Sequence, residues 1–111
     1  MDLTTDVRTA GVAVIRLVGR LDLLAADDVK QRLTQAVAEG NRRLVVDLTA
    51  LEFIDSSGLA ALIGGLKAAR LSGGDLRLAE VGVQARMILK ITSLDQVLRP
   101  YSTVEEALAG Y

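Results

Sequence analysis

The sequence predicts an α/β fold, a single domain over residues 1–111 in which a mixed sheet of four to five strands packs with four helices. Three observations carry that prediction. Apolar residues alternate with a period of two in "VAVIRLVGRLD" and "DLRLAEV", whereas "RLVVDL" is a continuous β-branched run of the kind buried on both faces. Between these segments the apolar spacing lengthens to three and four residues, the period of helices. Two extended pieces around Gly11 form an early hairpin, which makes the sheet mixed rather than wholly parallel.

The first hairpin arm covers Thr4 to Arg8, and Gly11 turns the chain into the second. In the strand Val12 to Asp22, Ala13, Ile15 and Leu17 share one face, with Arg16 and Val14 on the other. From Ala26 a helix is marked by Val29, Leu33, Ala36 and Val37. Asp27 and Asp28 fall in its first turn, where the helix dipole favours acids, and Gly40 offers a left-handed stop. Arg43 to Leu48 is the doubly buried strand. Leu59, Leu62, Ile63 and Leu66 define one face of a second helix, beside a stripe of small residues, Gly58, Ala61, Gly65, Ala68 and Ser72. That stripe fits tight packing of the helix, or a flat docking strip that also draws in Ala60, Gly64 and Leu71. Gly73 and Gly74 end the helix, "DLRLAEV" gives the next strand, and Val83, Met87 and Ile91 mark a third helix. "QVLRPY" reads as a short edge strand because Pro100 has no N–H to donate. Thr103 and Glu106 stand at capping-box spacing and start a last short helix.

Composition removes much chemistry. The chain has neither cysteine nor histidine, so disulfides, thiol nucleophiles, soft zinc sites and the commonest general base near neutral pH are all missing. No catalytic residue, metal site or cofactor is expected. A formal net charge of -1 provides no basic field for phosphates, and 3% aromatic residues leave few stacking platforms, so no nucleic-acid partner is expected. The longest apolar stretch, Leu59 to Leu71, is interrupted by Gly64, Gly65, Lys67 and Arg70 and falls short of the roughly 20 residues a bilayer requires. No membrane partner is expected. "MDLTTDVRTA" lacks the basic patch and apolar run of a secretory signal, which implies a cytoplasmic location.

The chemistry that remains is concentrated in "EFIDSSGLAALI", Glu52 to Ile63, where a carboxylate and two hydroxyls lie between a strand and a helix. The plainest reading is a helix N-cap, since Asp and Ser oxygens accept from the unpaired N–H groups of a first turn. A serine hydrolase would need a base beside Ser56 or Ser57, and only Lys67, Asp22 or Asp55 is available, none at a spacing that specifies acyl transfer. A third reading is covalent modification. A hydroxyl at a helix start is accessible to a kinase, and the phosphate it receives would lie where the dipole and free N–H groups favour an anion. A receiver domain phosphorylated on Asp47 would need an acidic pair after the first strand to hold magnesium, and "AVIRLVGRLD" does not supply one.

The block "LVVDLTALEFIDSSGLAALIGGLKAA", together with "VAVIRLVGRLD", "LKITSLDQVL" and "STVEEALAG", closely resembles STAS domains, in particular bacterial anti-sigma factor antagonists. The resemblance covers nearly the whole chain and implies a STAS-like sheet. It implies that Ser56, the first serine after the aspartate, is phosphorylated by a partner that is both anti-sigma factor and serine protein kinase. The unphosphorylated form binds that partner and frees the sigma factor, the phosphorylated form lets go, and a metal-dependent serine phosphatase resets the switch. By the same resemblance Asp22 lies beside the phosphoacceptor, Asp55 and Ser57 flank it, and Gly58 keeps the helix start open to the partner. The sequence departs from the family at Ala25, where a Thr or Ser often caps the first helix, at Leu23 and Leu24, which replace more polar residues, and at Ser93, where a glycine commonly closes the third helix. The rival within the same fold is a structural STAS subunit of a lipid-transport complex, in which the "DSSG" turn docks without phosphorylation.

Overall fold

The computed structural model describes all 111 residues. Its elements run β1 (Asp2–Thr9), β2 (Val12–Leu21), α1 (Leu23–Ala38), β3 (Arg43–Ile54), α2 (Ser56–Leu71), β4 (Asp75–Ala79), α3 (Val83–Ile91), a 3-10 turn (Leu94–Gln96), β5 (Pro100–Tyr101) and α4 (Val104–Leu108). The five strands lie in sequence order, β1 antiparallel to β2 and every later neighbour parallel. The mixed sheet with four helices is therefore present as the sequence predicts. No helix is long and apolar enough to cross a membrane.

A parallel strand pair needs a crossover helix, and successive crossovers of one hand stack their helices on one face. That face holds the main core, where Ala13, Ile15 and Leu17 of β2 and Leu44 and Val46 of β3 meet Leu33 of α1, Leu62 and Leu66 of α2 and Leu89 of α3. On the opposite face Val14, Val45 and Ala79 are covered by Ala107 of α4. β3 is thus buried on both faces, as its unbroken apolar run demands. Arg77 of β4 holds the last helix down: its guanidinium donates to the Ala107 and Ala109 carbonyls at 2.8 and 2.9 Å and lies 4.0 Å from the centre of the Tyr111 ring. The Tyr111 hydroxyl donates to the Leu44 carbonyl at 3.0 Å, and burial, reinforced by the charge of Asp75, pushes that phenol far above the ordinary tyrosine range.

The small stripe of α2 is a packing surface. A Cβ at Gly65 would lie 2.6 Å from a Leu33 methyl, and one at Gly64 would lie 2.9 Å from the Lys30 stem, so α1 closes over this side. Ala61 is buried, while Ala60 and Leu71 remain exposed.

Four sequence expectations need correction. α1 begins at Leu23, not Ala26, because Asp22 caps it; Ala25 is inside the helix rather than at its cap, and Asp27 and Asp28 lie beyond the first turn. β3 continues past Leu48 to Ile54, because two bulges each insert one extra residue opposite β2, between Asp47 and Ala50 and between Leu51 and Phe53. The row Val83, Met87 and Ile91 does mark α3, yet it faces solvent at 84%, 58% and 76% exposure; Ala85 and Leu89 enter the core instead. The edge strand in "QVLRPY" is limited to Pro100 and Tyr101, preceded by the 3-10 turn.

Ser93 follows α3 with φ at 59°, the left-handed region that disfavours any residue with a Cβ. Ser93→Gly is expected to stabilise the protein by about 1 kcal/mol, raising its thermal midpoint by about 4 °C in calorimetry. An unchanged or lower midpoint would contradict this account of the turn.

Candidate functional site

β2 and β3 run parallel side by side, so both turn into their helices at the same edge of the sheet. Leu21 pairs with Ile54, and one residue later each strand meets an aspartate. Asp22 caps α1 with φ −118° and ψ −170°; Asp55 caps α2 with φ −116° and ψ −172°. In this extended conformation a side-chain oxygen reaches a free helical N–H. Asp22 Oδ1 accepts from Leu24 N–H at 3.1 Å, and Asp55 Oδ1 from Gly58 N–H at 2.9 Å. Two helix starts, each with a partly positive end, consequently stand together.

Ser56 is the first residue of α2 and is exposed. Because Asp55 supplies the cap, capping makes no use of the Ser56 hydroxyl. Ser57 is half-buried and lines a shallow groove between α1 and α2 with Leu23, Ala26, Asp27, Lys30 and Ala60. Leu23 and Leu24 project from the start of α1 at 73% and 92% exposure and form an apolar rim, Leu23 on the groove that holds Ser57 and Leu24 on the side of Arg20 and Asp22. The fold thus gathers Asp22, Asp55, Ser56 and Ser57 at one end of the sheet.

Gly58 has a different place. It is buried, and a Cβ there would come within 2.3 Å of the Leu21 carbonyl oxygen and 2.9 Å of Ile54 Cγ1. The close approach that glycine permits here is to β2 of the same chain, whereas the family resemblance turns it toward a partner.

Two residues that sequence reasoning passed over complete the surface. Arg20 stacks 4.3 Å from the centre of the Phe53 ring and reaches Asp22 Oδ2 at 3.8 Å. The readable signal was the spacing of Arg20 and Asp22, opposite charges two residues apart on extended backbone, where alternate side chains share a side. Arg20 is largely exposed, so this pair contributes little to stability and mainly orients the Asp22 carboxylate. Asp47 lies elsewhere: its carboxylate accepts from the Thr49 N–H and hydroxyl at the first bulge, in mid-strand rather than at the strand end a receiver phosphoacceptor would occupy.

Comparison with known proteins agrees with this architecture. The family model of the STAS domain matches residues 5–107. The chain is similar to the anti-sigma-F factor antagonist RsfB of Mycobacterium tuberculosis, 32% identical over 102 residues that cover 90% of this chain and 81% of the relative. Among solved structures, an anti-sigma factor antagonist from Mycobacterium paratuberculosis superposes with a TM-score of 0.81 at 30% identity, covering 96% of this chain and 92% of that one. The Bacillus cell fate determinant SpoIIAA, solved in its phosphorylated form, shares the fold with a TM-score of 0.75 at 23% identity over 96% of each chain. With a family match running from the first strand into the last helix, the chain belongs to the STAS domain family.

Proposed function

We propose that this protein is a cytoplasmic anti-sigma factor antagonist, a binding module and not an enzyme, switched by phosphate on Ser56. The observation that carries the reading is the division of labour at the start of α2: Asp55 caps the helix, so the exposed Ser56 hydroxyl is left for modification. The neutral form docks an anti-sigma factor on the rim made by Leu23, Leu24, Asp22 and Ser57, and the sigma factor is released. That partner is also a serine kinase. Ser56 Oγ takes the γ-phosphoryl group of ATP, the hydroxyl proton leaves, and ADP departs. A serine phosphatase hydrolyses the ester and returns the hydroxyl with inorganic phosphate.

The antagonist names carried by relatives at 30% identity and above support the role, and the twin helix N-termini support a phosphate at this position. Gly58 serves the site indirectly, seating α2 against Leu21 so that Ser56 stands at the sheet edge.

The test uses Ser56→Ala protein as bait on host extract. The partner it retains, once purified and given Mg-ATP, is expected to place one phosphate on Ser56 of the unmodified chain, seen by mass spectrometry, and to remain bound to Ser56→Ala under the same conditions. Equal binding by Ser56→Ala and Ser56→Asp, with no phosphate transferred, would replace the antagonist by a structural STAS subunit.

A further inference from the structure

The pairing of β3 with β4 ends at Asp47 and Ala79, although β3 runs on to Ile54. Beyond that point β3 has a strand partner only on its β2 side. At its last residue the gap is filled by a side chain. Gln84, the second residue of α3, donates from Nε2 to the Ile54 carbonyl at 2.8 Å and accepts from the Ile54 N–H at 3.1 Å through Oε1. One side-chain amide thereby imitates a peptide unit of an absent neighbouring strand. Ile54 is buried and has no strand on this side, whereas Gln84 is exposed, so without Gln84 only water would be left to serve both backbone groups. The next two residues are the Asp55 cap and Ser56.

We infer that Gln84 is the positioning residue of the phosphoacceptor turn: by clamping Ile54 from the β4 side, opposite Leu21, it fixes the direction in which Asp55 and Ser56 leave the sheet. The inference rests on the reading of Ser56 as phosphoacceptor. On the other side of the turn, Asp55 N–H donates to the Leu21 carbonyl at 3.3 Å, so the turn is held from both flanks. At neutral pH an amide of this length meets both Ile54 groups. A carboxylate in its place accepts from the N–H and repels the carbonyl, whereas a protonated carboxyl offers one donor and one acceptor and restores the pair.

The test compares the full-length chain with Gln84→Glu and Gln84→Met, using the kinase retained by Ser56→Ala and Mg-ATP at neutral pH. Misplacing a reacting hydroxyl lowers transfer steeply, so kcat/KM for Ser56 phosphorylation is expected to fall roughly ten- to a hundredfold in both variants. In amide NMR spectra of Gln84→Glu, the Ile54, Asp55 and Ser56 signals are expected to return toward their wild-type positions as the pH is lowered, in one titration; those of Gln84→Met are expected to stay displaced. Leu89→Val, a core change on the same helix, is expected to lower stability and leave kcat/KM within twofold, separating positioning from general loosening. Wild-type phosphorylation accompanied by an unchanged rate in Gln84→Glu and Gln84→Met would overturn the role of Gln84 alone, as would the absence of the titration. Failure of the wild-type chain to accept phosphate would instead remove the phosphoswitch and the positioning role with it.

Discussion

Phosphate on Ser56 is expected to weaken docking of the anti-sigma factor roughly a thousandfold, with Ser56→Asp intermediate and Ser56→Ala close to wild type. The phosphoryl group adds about −1.5 to −2 charges at the start of α2. Within the free protein this charge sits at the N-terminus of α2 beside that of α1, two partly positive ends that offset the nearby Asp22 and Asp55 carboxylates, and the hydroxyl takes no part in the cap. Docking changes the balance. The surroundings include Leu23 and Leu24, whose burial against a partner would strip water from the phosphate. A partner carboxylate at roughly 7 Å would add repulsion of about 4 kcal/mol at an effective dielectric near 20. The single charge of Ser56→Asp delivers about half of that, or roughly thirtyfold. Titration calorimetry on the three forms checks the ranking, and repeating it at higher salt should narrow the gaps, since exposed charges are screened. Equal affinity of the phosphorylated and neutral forms would end the electrostatic account.

Gly74→Ala is expected to lower stability by about 3 kcal/mol. A Cβ at Gly74 would lie 1.8 Å from the Arg42 carbonyl oxygen and 2.5 Å from its carbon. Both obstacles are backbone, so no rotamer change relieves them. That carbonyl accepts from Asp75 N–H at 3.1 Å, the bond that brings β4 onto β3, while Gly74 N–H is tied to Ala69 O at 2.8 Å at the end of α2. Moving the chain aside breaks one anchor or the other. Gly73 provides the control: it has a positive φ of 84° and nothing within 4 Å of a Cβ, so Gly73→Ala suffers backbone strain alone, about 1 kcal/mol. Denaturant midpoints of the two variants should differ clearly at equal slope. Midpoints that coincide would refute the argument from close approach.

The alternation of helices and strands was legible from apolar periodicity, the doubly buried β3 from an unbroken apolar run and the hairpin from the glycine at its turn, because each is a local pattern that dictates burial or direction directly. What escaped was set by interactions with no period. The bulges in β3 put the polar residues Thr49 and Glu52 into a strand and broke the alternation that would have revealed it. At α1 the apolar spacing begins only at Val29, because Leu23 and Leu24 lie off the buried face, so the true start depended on recognising Asp22 as a cap. In α3 the conspicuous row of large side chains is the outer one, and the buried row begins with the inconspicuous Ala85. The cluster at Asp55 was readable as either cap or modification site, and the geometry lets both hold on adjacent residues. Gln84 gave no signal, since a lone amide in the first turn of a helix looks like any solvent-facing residue.

The near-identical bend at Asp22 and Asp55 carries a consequence for molecular addressing. Leu23 stands to the first aspartate as Ser56 stands to the second. An enzyme that sensed only the trajectory of the main chain would find two equivalent destinations on this protein, a short distance apart. On the proposed function, fidelity would then be written in side chains: an oily pair at one bend to hold the visitor, a hydroxyl pair at the other to receive the mark.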